Sequence, residues 1–175
     1  AMALTRDPKL LVCDEPTTAL DVTVQKQVIE LLNELREKLG FAMIFVSHDL
    51  ALVAKVAHSI TVMYAGQVVE QGSTKEILTD PRHEYTRGLL GSVTSIEAGA
   101  ARLPQVPGTV PSPADFPKGD RFAPRSSHPD VGLNTRPIMK QVPGTYHCYA
   151  ALPLPSDSDA TSGIVATVET EGGAR

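Results

Sequence analysis

Two adjacent carboxylates, Asp14 and Glu15, follow a short apolar run at residues 10–13. Such a run predicts a buried strand, and ligands bind at the carboxyl ends of the strands in an open α/β sheet. An aspartate there could hold Mg²⁺, which takes few carboxylates and keeps several waters. The neighbouring glutamate could orient a water that attacks a phosphoryl group, or accept its proton. The pair therefore indicates metal-assisted phosphoryl chemistry. The alternative for Asp14 is a helix cap or turn, and the alternative for Glu15 is a solvated loop.

A histidine, His48, occupies a similar setting about thirty residues later. It follows a second apolar run at residues 41–46 and precedes Asp49, which can cap a short helix. An imidazole there could donate a hydrogen bond to the γ-phosphate of a nucleotide and respond to its loss. The remaining histidines have no partner at metal-ligand spacing, and we assign no role to His58, His83, His128 or His147.

The elements that must position these side chains form a strand–helix–strand unit. One strand is predicted at residues 9–13, and a second at residues 41–46 is apolar enough to be buried on both faces. Between them, apolar residues recur at helical spacing over residues 22–39, with Asp21 as N-cap and Gly40 as the left-handed stop. Because the joints are short, the strands should be parallel, which places the histidine at the same sheet edge as the two acids.

Shorter elements are predicted further along the chain. Residues 59–64 and 67–71 predict a hairpin through a Gly-containing turn. Ser73 and Glu76 predict a capping box that starts a short helix. A further helix is predicted from about residue 83 to residue 96.

Composition changes after about residue 97. Eleven of the 14 prolines lie beyond residue 100, and apolar periodicity is lost, so we expect a Pro-rich irregular extension. The last twenty residues, rich in Ser, Thr, Gly and acids, should be disordered. No apolar run approaches the ~18 residues of a membrane-spanning helix. The formal net charge of -4 gives no reason to expect nucleic acid as the main partner.

Residues 10–21 read LLVCDEPTTALD, and residues 46–50 read VSHDL. Together these segments closely resemble the nucleotide-binding subunits of ABC transporters. The resemblance implies the α/β fold of a P-loop nucleoside triphosphatase, with parallel strands flanked by helices. This chain would be the C-terminal part of such a domain, followed by the Pro-rich extension. The resemblance also implies ATP and Mg²⁺ as cofactors.

The same resemblance implies a role for each candidate residue. Asp14 matches the family's Mg²⁺ site, binding the ion directly or through water, and Glu15 matches its general base. His48 matches the switch histidine at the γ-phosphate, with Ser47 beside it among the nucleotide-binding residues. Asp21 belongs to a segment that the family places between two nucleotide-binding domains, although helix capping alone would explain an aspartate here.

Two nucleotide-binding motifs of this family are absent from the 175 residues: the Gly-x-x-x-x-Gly-Lys-Ser/Thr phosphate loop and the Leu-Ser-Gly-Gly-Gln signature. Without the amides and the lysine of that loop, the β- and γ-phosphates have no cradle. We therefore expect the chain alone to bind ATP weakly or not at all. ATPase activity would require the upstream half of the domain. A sheet without its upstream strands would expose apolar edges, so we also expect poor solubility or association.

Residues 81–90 resemble the Pro-x-His-Pro-Tyr-Thr-x-x-Leu-Leu motif of subunits that drive dipeptide, oligopeptide and nickel importers, with Glu84 in place of the usual proline. Many members of that branch carry cysteines for an iron–sulfur cluster in the extension that follows. Here Asp120 and Ser126 stand at the first two of those positions, and Cys148 matches only the last. One thiolate cannot hold a cluster that needs about four, so we expect no iron–sulfur cluster.

We therefore predict three regions: residues 1–80 as the C-terminal part of an ABC nucleotide-binding domain, residues 81–150 as an importer-type extension, and residues 151–175 as a disordered tail. The predicted function is ATP hydrolysis that powers uptake of peptides, or nickel, from the cytoplasmic face of the inner membrane. The partners would be a second ABC ATPase subunit, membrane permease subunits and, indirectly, a solute-binding protein, but no nucleic acid. Two alternatives stay open: a non-catalytic remnant or regulatory half-domain, and a soluble ABC-type ATPase of DNA repair or translation.

Overall fold

A computed structural model describes residues 4–97 and 106–152. Ten helices and strands of four residues or more lie within these ranges. In chain order they are β1 (Leu10–Asp14), α1 (Val22–Leu39), β2 (Ala42–Val46), α2 (Leu50–Val56), β3 (Ser59–Tyr64), β4 (Gln67–Ser73), α3 (Thr74–Thr79), α4 (Glu84–Glu97), β5 (Ile138–Gln141) and β6 (Cys148–Ala151). The tail predicted to be disordered lies outside the described residues from position 153 onward.

The first unit is β1–α1–β2, in which β1 pairs with β2 in parallel register from Leu10↔Ala42 to Asp14↔Val46. Helix α1 has the predicted bounds because both of its ends are encoded locally. The Asp21 side chain accepts a hydrogen bond from the backbone N–H of Val24 (2.9 Å), and Gly40 ends the helix in the left-handed region at φ 69°. Asp14 ends β1, Glu15 follows it, and His48 lies two residues after β2. All three residues therefore lie at one edge of the sheet.

The prediction that the second strand is buried on both faces is wrong. One face of the β1–β2 sheet packs against α1 and α2, where Met43 and Phe45 contact a buried cluster of Ile29, Leu52 and Val56. Side chains on the other face are between 45% and 58% exposed, because no described element covers them. They are Leu10, Val12, Ile44 and Val46. We call these four residues the bare face.

The predicted hairpin and capping box are confirmed. Strands β3 and β4 pair antiparallel through Ala65 and Gly66, whose φ angles of 48° and 79° are those that a tight type I′ turn requires. Ser73 accepts a hydrogen bond from the backbone of Glu76, and the Glu76 carboxylate accepts one from the Ser73 backbone, so α3 begins with a complete capping box.

The sequence predicted an irregular extension, but part of the extension is regular. Strands β5 and β6 pair with each other and add to the hairpin in the order β3-β4-β6-β5, with antiparallel pairing throughout. Within the described residues, the fold is therefore α/β with one parallel and one antiparallel sheet. Among the described residues after α4, two 3₁₀ turns, Pro113–Asp115 and Ala123–Arg125, are also regular.

The extension also contributes to the main core. Phe122 is buried against Tyr64 and Tyr85, with ring centroids 5.2 and 5.7 Å away. Gln67 of the hairpin accepts a hydrogen bond from the N–H of Arg121 (2.9 Å) and donates one to the carbonyl of Gly119 (2.9 Å). The two Gln67 hydrogen bonds join residues more than fifty positions apart. Within the described ranges, no helix is long and apolar enough to cross a membrane.

Candidate functional site

Glu15 and His48 come into direct contact at the carboxyl ends of β1 and β2. The backbone N–H of Glu15 donates to the carbonyl of Val46 (2.9 Å), which extends the strand pairing by one residue. Beyond it, Nδ1 of His48 lies 3.1 Å from Oε1 of Glu15. Two residues 33 positions apart in sequence are thus brought together by the parallel pairing of their strands.

The Glu15 side chain is held on both of its oxygens. Thr18 donates its hydroxyl hydrogen to Oε2 (2.8 Å), while His48 contacts Oε1. Hydrogen bonds from His48 and then Thr18 favour the charged carboxylate and lower the pKa of Glu15 below its usual value. The residue also has a positive φ of 43°, which is uncommon for a side chain with a Cβ and is found disproportionately at functional sites.

The pair has a defined proton arrangement. An ionised carboxylate only accepts, so Nδ1 of His48 must carry the hydrogen that lies between them. In neutral imidazole, Nε2 is then an acceptor, whereas in imidazolium it is a second donor. The imidazole is 78% exposed and open to a ligand. Only the protonated ring could therefore donate a hydrogen bond from Nε2 to a phosphate oxygen and keep its contact with Glu15.

Asp14 suits a magnesium ion that is held partly by other ligands. It is exposed at the same sheet edge, and within residues 4–97 and 106–152 its carboxylate makes no hydrogen bond. The described residues contain no group of three His, Cys, Asp or Glu side chains that could enclose a metal ion. Because Mg²⁺ often takes one or two carboxylates and completes its shell with water and phosphate oxygens, a single aspartate fits that chemistry.

Asp21 and Ser47 have local structural contacts. Asp21 caps α1, and its side chain is otherwise exposed. The Ser47 hydroxyl accepts a hydrogen bond from the N–H of Asp49 (3.1 Å), and Asp49 in turn caps α2 through the N–H of Leu52 (3.1 Å). In the described chain, no hydrogen bond links either residue to Glu15 or to His48.

A buried polar cluster was missed by the sequence reasoning, which gave His147 no role. Nε2 of His147 lies 2.6 Å from Oε1 of Glu70, and both side chains are almost fully buried. The same carboxylate accepts the backbone N–H groups of Arg82 (2.7 Å) and His83 (3.0 Å). We call Glu70 and its three donors the Glu70 cluster. The pair is separated by 77 residues, so local spacing could not reveal it.

Asp120 and Ser126 have local partners. Asp120 accepts a hydrogen bond from the N–H of Phe122 (2.8 Å). The Ser126 hydroxyl donates to the carbonyl of Ala123 (2.9 Å) and accepts from the N–H of His128 (3.1 Å). Both side chains thus stabilise the turn around Ala123–Arg125. The absence of an iron–sulfur cluster stays a prediction.

The parallel strand–helix–strand unit places Asp14, Glu15 and His48 at the edge where ligands bind in open α/β sheets. Residues 69–129 match a family model described as the C-terminal region of oligopeptide/dipeptide transporters. The chain is 50% identical over 149 residues to the oligopeptide transport ATP-binding protein OppD of Bacillus subtilis, covering 84% of this chain and 42% of the relative. It is 48% identical over 126 residues to the dipeptide transport ATP-binding protein DppD of Lactococcus lactis, covering 72% and 36%.

This chain therefore belongs with the ATP-binding subunits of oligopeptide and dipeptide ABC transporters and corresponds to their C-terminal region. The suspected resemblance is confirmed to the level of this branch. The chain spans less than half the length of these curated relatives.

Proposed function

We propose that this chain supplies the water-activating and phosphate-sensing residues of an ATPase site that powers peptide import. The observation that carries the proposal is the 3.1 Å contact between Glu15 and His48 at the carboxyl ends of two parallel strands. Glu15 is charged and fixed, so it can orient the attacking water once a contact to one of its oxygens is exchanged. Asp14 would hold Mg²⁺, and His48 would contact the γ-phosphate.

The proposed site needs residues beyond those of this chain. The 175 residues contain no phosphate loop, so another segment would cradle the β- and γ-phosphates of ATP. A second ATPase subunit would face the exposed side of Asp21, and Ser47 would lie at the nucleotide. Membrane permease subunits would couple hydrolysis to transport at the cytoplasmic face of the membrane. A solute-binding protein would be an indirect partner. Peptide is the proposed solute because of the transporter branch.

A second candidate function is that of a non-catalytic remnant or regulatory half-domain. The bare face of the β1–β2 sheet favours it, because these exposed apolar residues could bind a complementary domain. The soluble ATPase of DNA repair or translation is disfavoured, because residues 69–129 match a transporter region.

A chimera separates the two candidates. In it, the matched region of Bacillus subtilis OppD is replaced by this chain, and ATP hydrolysis is measured with and without Mg²⁺. The ATPase proposal predicts Mg²⁺-dependent hydrolysis by the chimera and no saturable MgATP binding by the isolated chain. A folded chimera that binds MgATP but does not hydrolyse it would support the remnant instead.

Asp14→Asn tests the assignment of the metal ligand, and Asp115→Asn is its matched control. Asp115 lies in a 3₁₀ turn of the extension, outside the proposed site. Loss of Mg²⁺ dependence or of hydrolysis in the first variant alone would support the assignment of Asp14. Equal activity in both variants would contradict it.

A further inference from the structure

A cavity of about 320 Å³ lies in the extension, away from the β1–β2 edge. Its walls come from the start of α4, the Ala123–Arg125 turn and the β5–β6 pair. The residues that matter for its chemistry are Arg82, His83, Arg87, Phe122, Lys140 and Tyr149. The volume falls at the lower end of the range for small-molecule sites, ~300–1,000 Å³.

Charged side chains of both signs line the cavity. Arg82, Arg87 and Lys140 line the cavity, against two carboxylates, Glu84 and Asp120. Both oxygens of Glu84 already accept hydrogen bonds from Ser127, one from its N–H (2.8 Å) and one from its hydroxyl (2.5 Å). Asp120 accepts from a backbone N–H in its own turn. These hydrogen bonds hold both carboxylates against the cavity wall, and their negative charges remain within electrostatic reach of His83.

Arg87 is the cation best placed for a ligand. Its Nη1 donates to the backbone carbonyl of Arg82 (2.7 Å), which fixes the guanidinium at the start of α4. Within the described residues it forms no salt bridge, whereas the Arg82 guanidinium pairs with Asp80. Arginine presents several N–H donors in one plane, so the groups that Arg87 does not use could bind an oxyanion.

A buried donor supports the same conclusion. The His83 side chain lines the cavity although the residue is only 7% exposed. Its Nδ1 accepts a hydrogen bond from the N–H of Tyr85 (3.2 Å), so neutral imidazole carries its proton on Nε2. Burial lowers the pKa of His83, which keeps the ring neutral. Within the described residues Nε2 makes no hydrogen bond, so this N–H is available to an acceptor in the cavity.

We propose that this cavity binds a small organic oxyanion, a carboxylate or phosphate monoester carried on an apolar body. The oxyanion would accept hydrogen bonds from Nε2 of His83 and from Arg87. The apolar body would contact the hydrophobic part of the lining, which includes Phe122, Ala150 and Leu152. This inference is independent of the ATPase proposal, because it uses none of the residues at the β1–β2 edge.

The test is a titration of the 175-residue chain with sodium benzoate and with phenyl phosphate. Binding is measured by calorimetry and by NMR chemical shifts. Sodium acetate and inorganic phosphate are titrated at matched ionic strength to measure the contribution of the apolar body. The variant is Arg87→Gln. Its matched control is Arg36→Gln, because Arg36 also donates from Nη1 to a backbone carbonyl, that of Val56 (3.2 Å).

We expect saturable binding of benzoate or phenyl phosphate that is tighter than binding of acetate or inorganic phosphate, respectively. Binding should weaken about tenfold or more in Arg87→Gln, the effect of losing a charged hydrogen bond, and stay unchanged in Arg36→Gln. Comparison of the two aromatic probes identifies the preferred anion. Val131→Phe, which fills the cavity from its rim, should also abolish binding, and it decides the question if Arg87→Gln does not fold. Absence of saturation, or equal weakening in the Arg36 variant, would overturn the proposal.

Discussion

The strongest stability prediction concerns Glu70→Ala in the Glu70 cluster. The substitution removes the acceptor of three donors: two backbone N–H groups at 2.7 and 3.0 Å and Nε2 of His147 at 2.6 Å. Glu70 is fully buried and His147 is 2% exposed, so water cannot easily replace the lost carboxylate. Each unsatisfied buried donor costs about 1–3 kcal/mol, and three donors lose their acceptor together. We therefore expect the free energy of unfolding to fall by about 3 kcal/mol or more.

The assay is urea unfolding at neutral pH and low protein concentration, followed by circular dichroism. The matched control is Glu30→Ala, which removes the exposed Lys26–Glu30 pair (3.8 Å) and should cost only about 0.2–0.5 kcal/mol. Amide hydrogen exchange should also show weaker protection of β6, because Glu70 and Gln71 pair with Tyr149 and Cys148. If both variants lose the same small free energy, the cluster does not join the extension to the hairpin as described.

Three further predictions concern pH, capping and association. Because burial lowers the pKa of His83, the fold should lose stability as pH falls below about 6.5, the ordinary pKa of histidine. The variant His83→Asn keeps an acceptor in place of Nδ1 and should weaken this pH dependence. Urea titrations at pH 7.5 and 5.5 measure the difference. Asp21→Ala should lower the free energy of unfolding by about 1 kcal/mol through loss of the α1 cap, whereas Asp21→Asn should be nearly neutral. The double variant Val12→Thr and Ile44→Thr should reduce self-association in sedimentation velocity, whereas Val22→Thr, at an exposed position outside the bare face, should not.

The sequence predicted the elements whose ends are marked locally. Helix α1 has its predicted bounds because Asp21 supplies a cap and Gly40 a left-handed stop, and each acts within a few residues. The hairpin and its capping box were predicted for the same reason, through Gly66 and the Ser73–Glu76 spacing. The contact of Glu15 with the histidine follows from a short β–α–β connection, which fixes the relative position of two strand ends.

What the sequence did not predict depends on distant partners. Strand β5 is exposed along its whole length, so it has no alternating pattern, and its existence depends on pairing with β6. The burial of Glu70 requires a histidine 77 residues away. The exposure of the bare face could not be read from composition, because an apolar run looks the same whether or not another element covers it.

The central claim is that Glu15 activates the water that attacks ATP, and Glu15→Gln in the chimera tests it most directly. MgATP affinity and the rate of hydrolysis are measured on the same preparation, with Glu37→Gln, an exposed glutamate of α1, as control. Loss of a general base should lower the rate by about 10²–10⁴-fold with little change in affinity, whereas the control should keep its rate. Hydrolysis at the unsubstituted rate in Glu15→Gln would contradict the account.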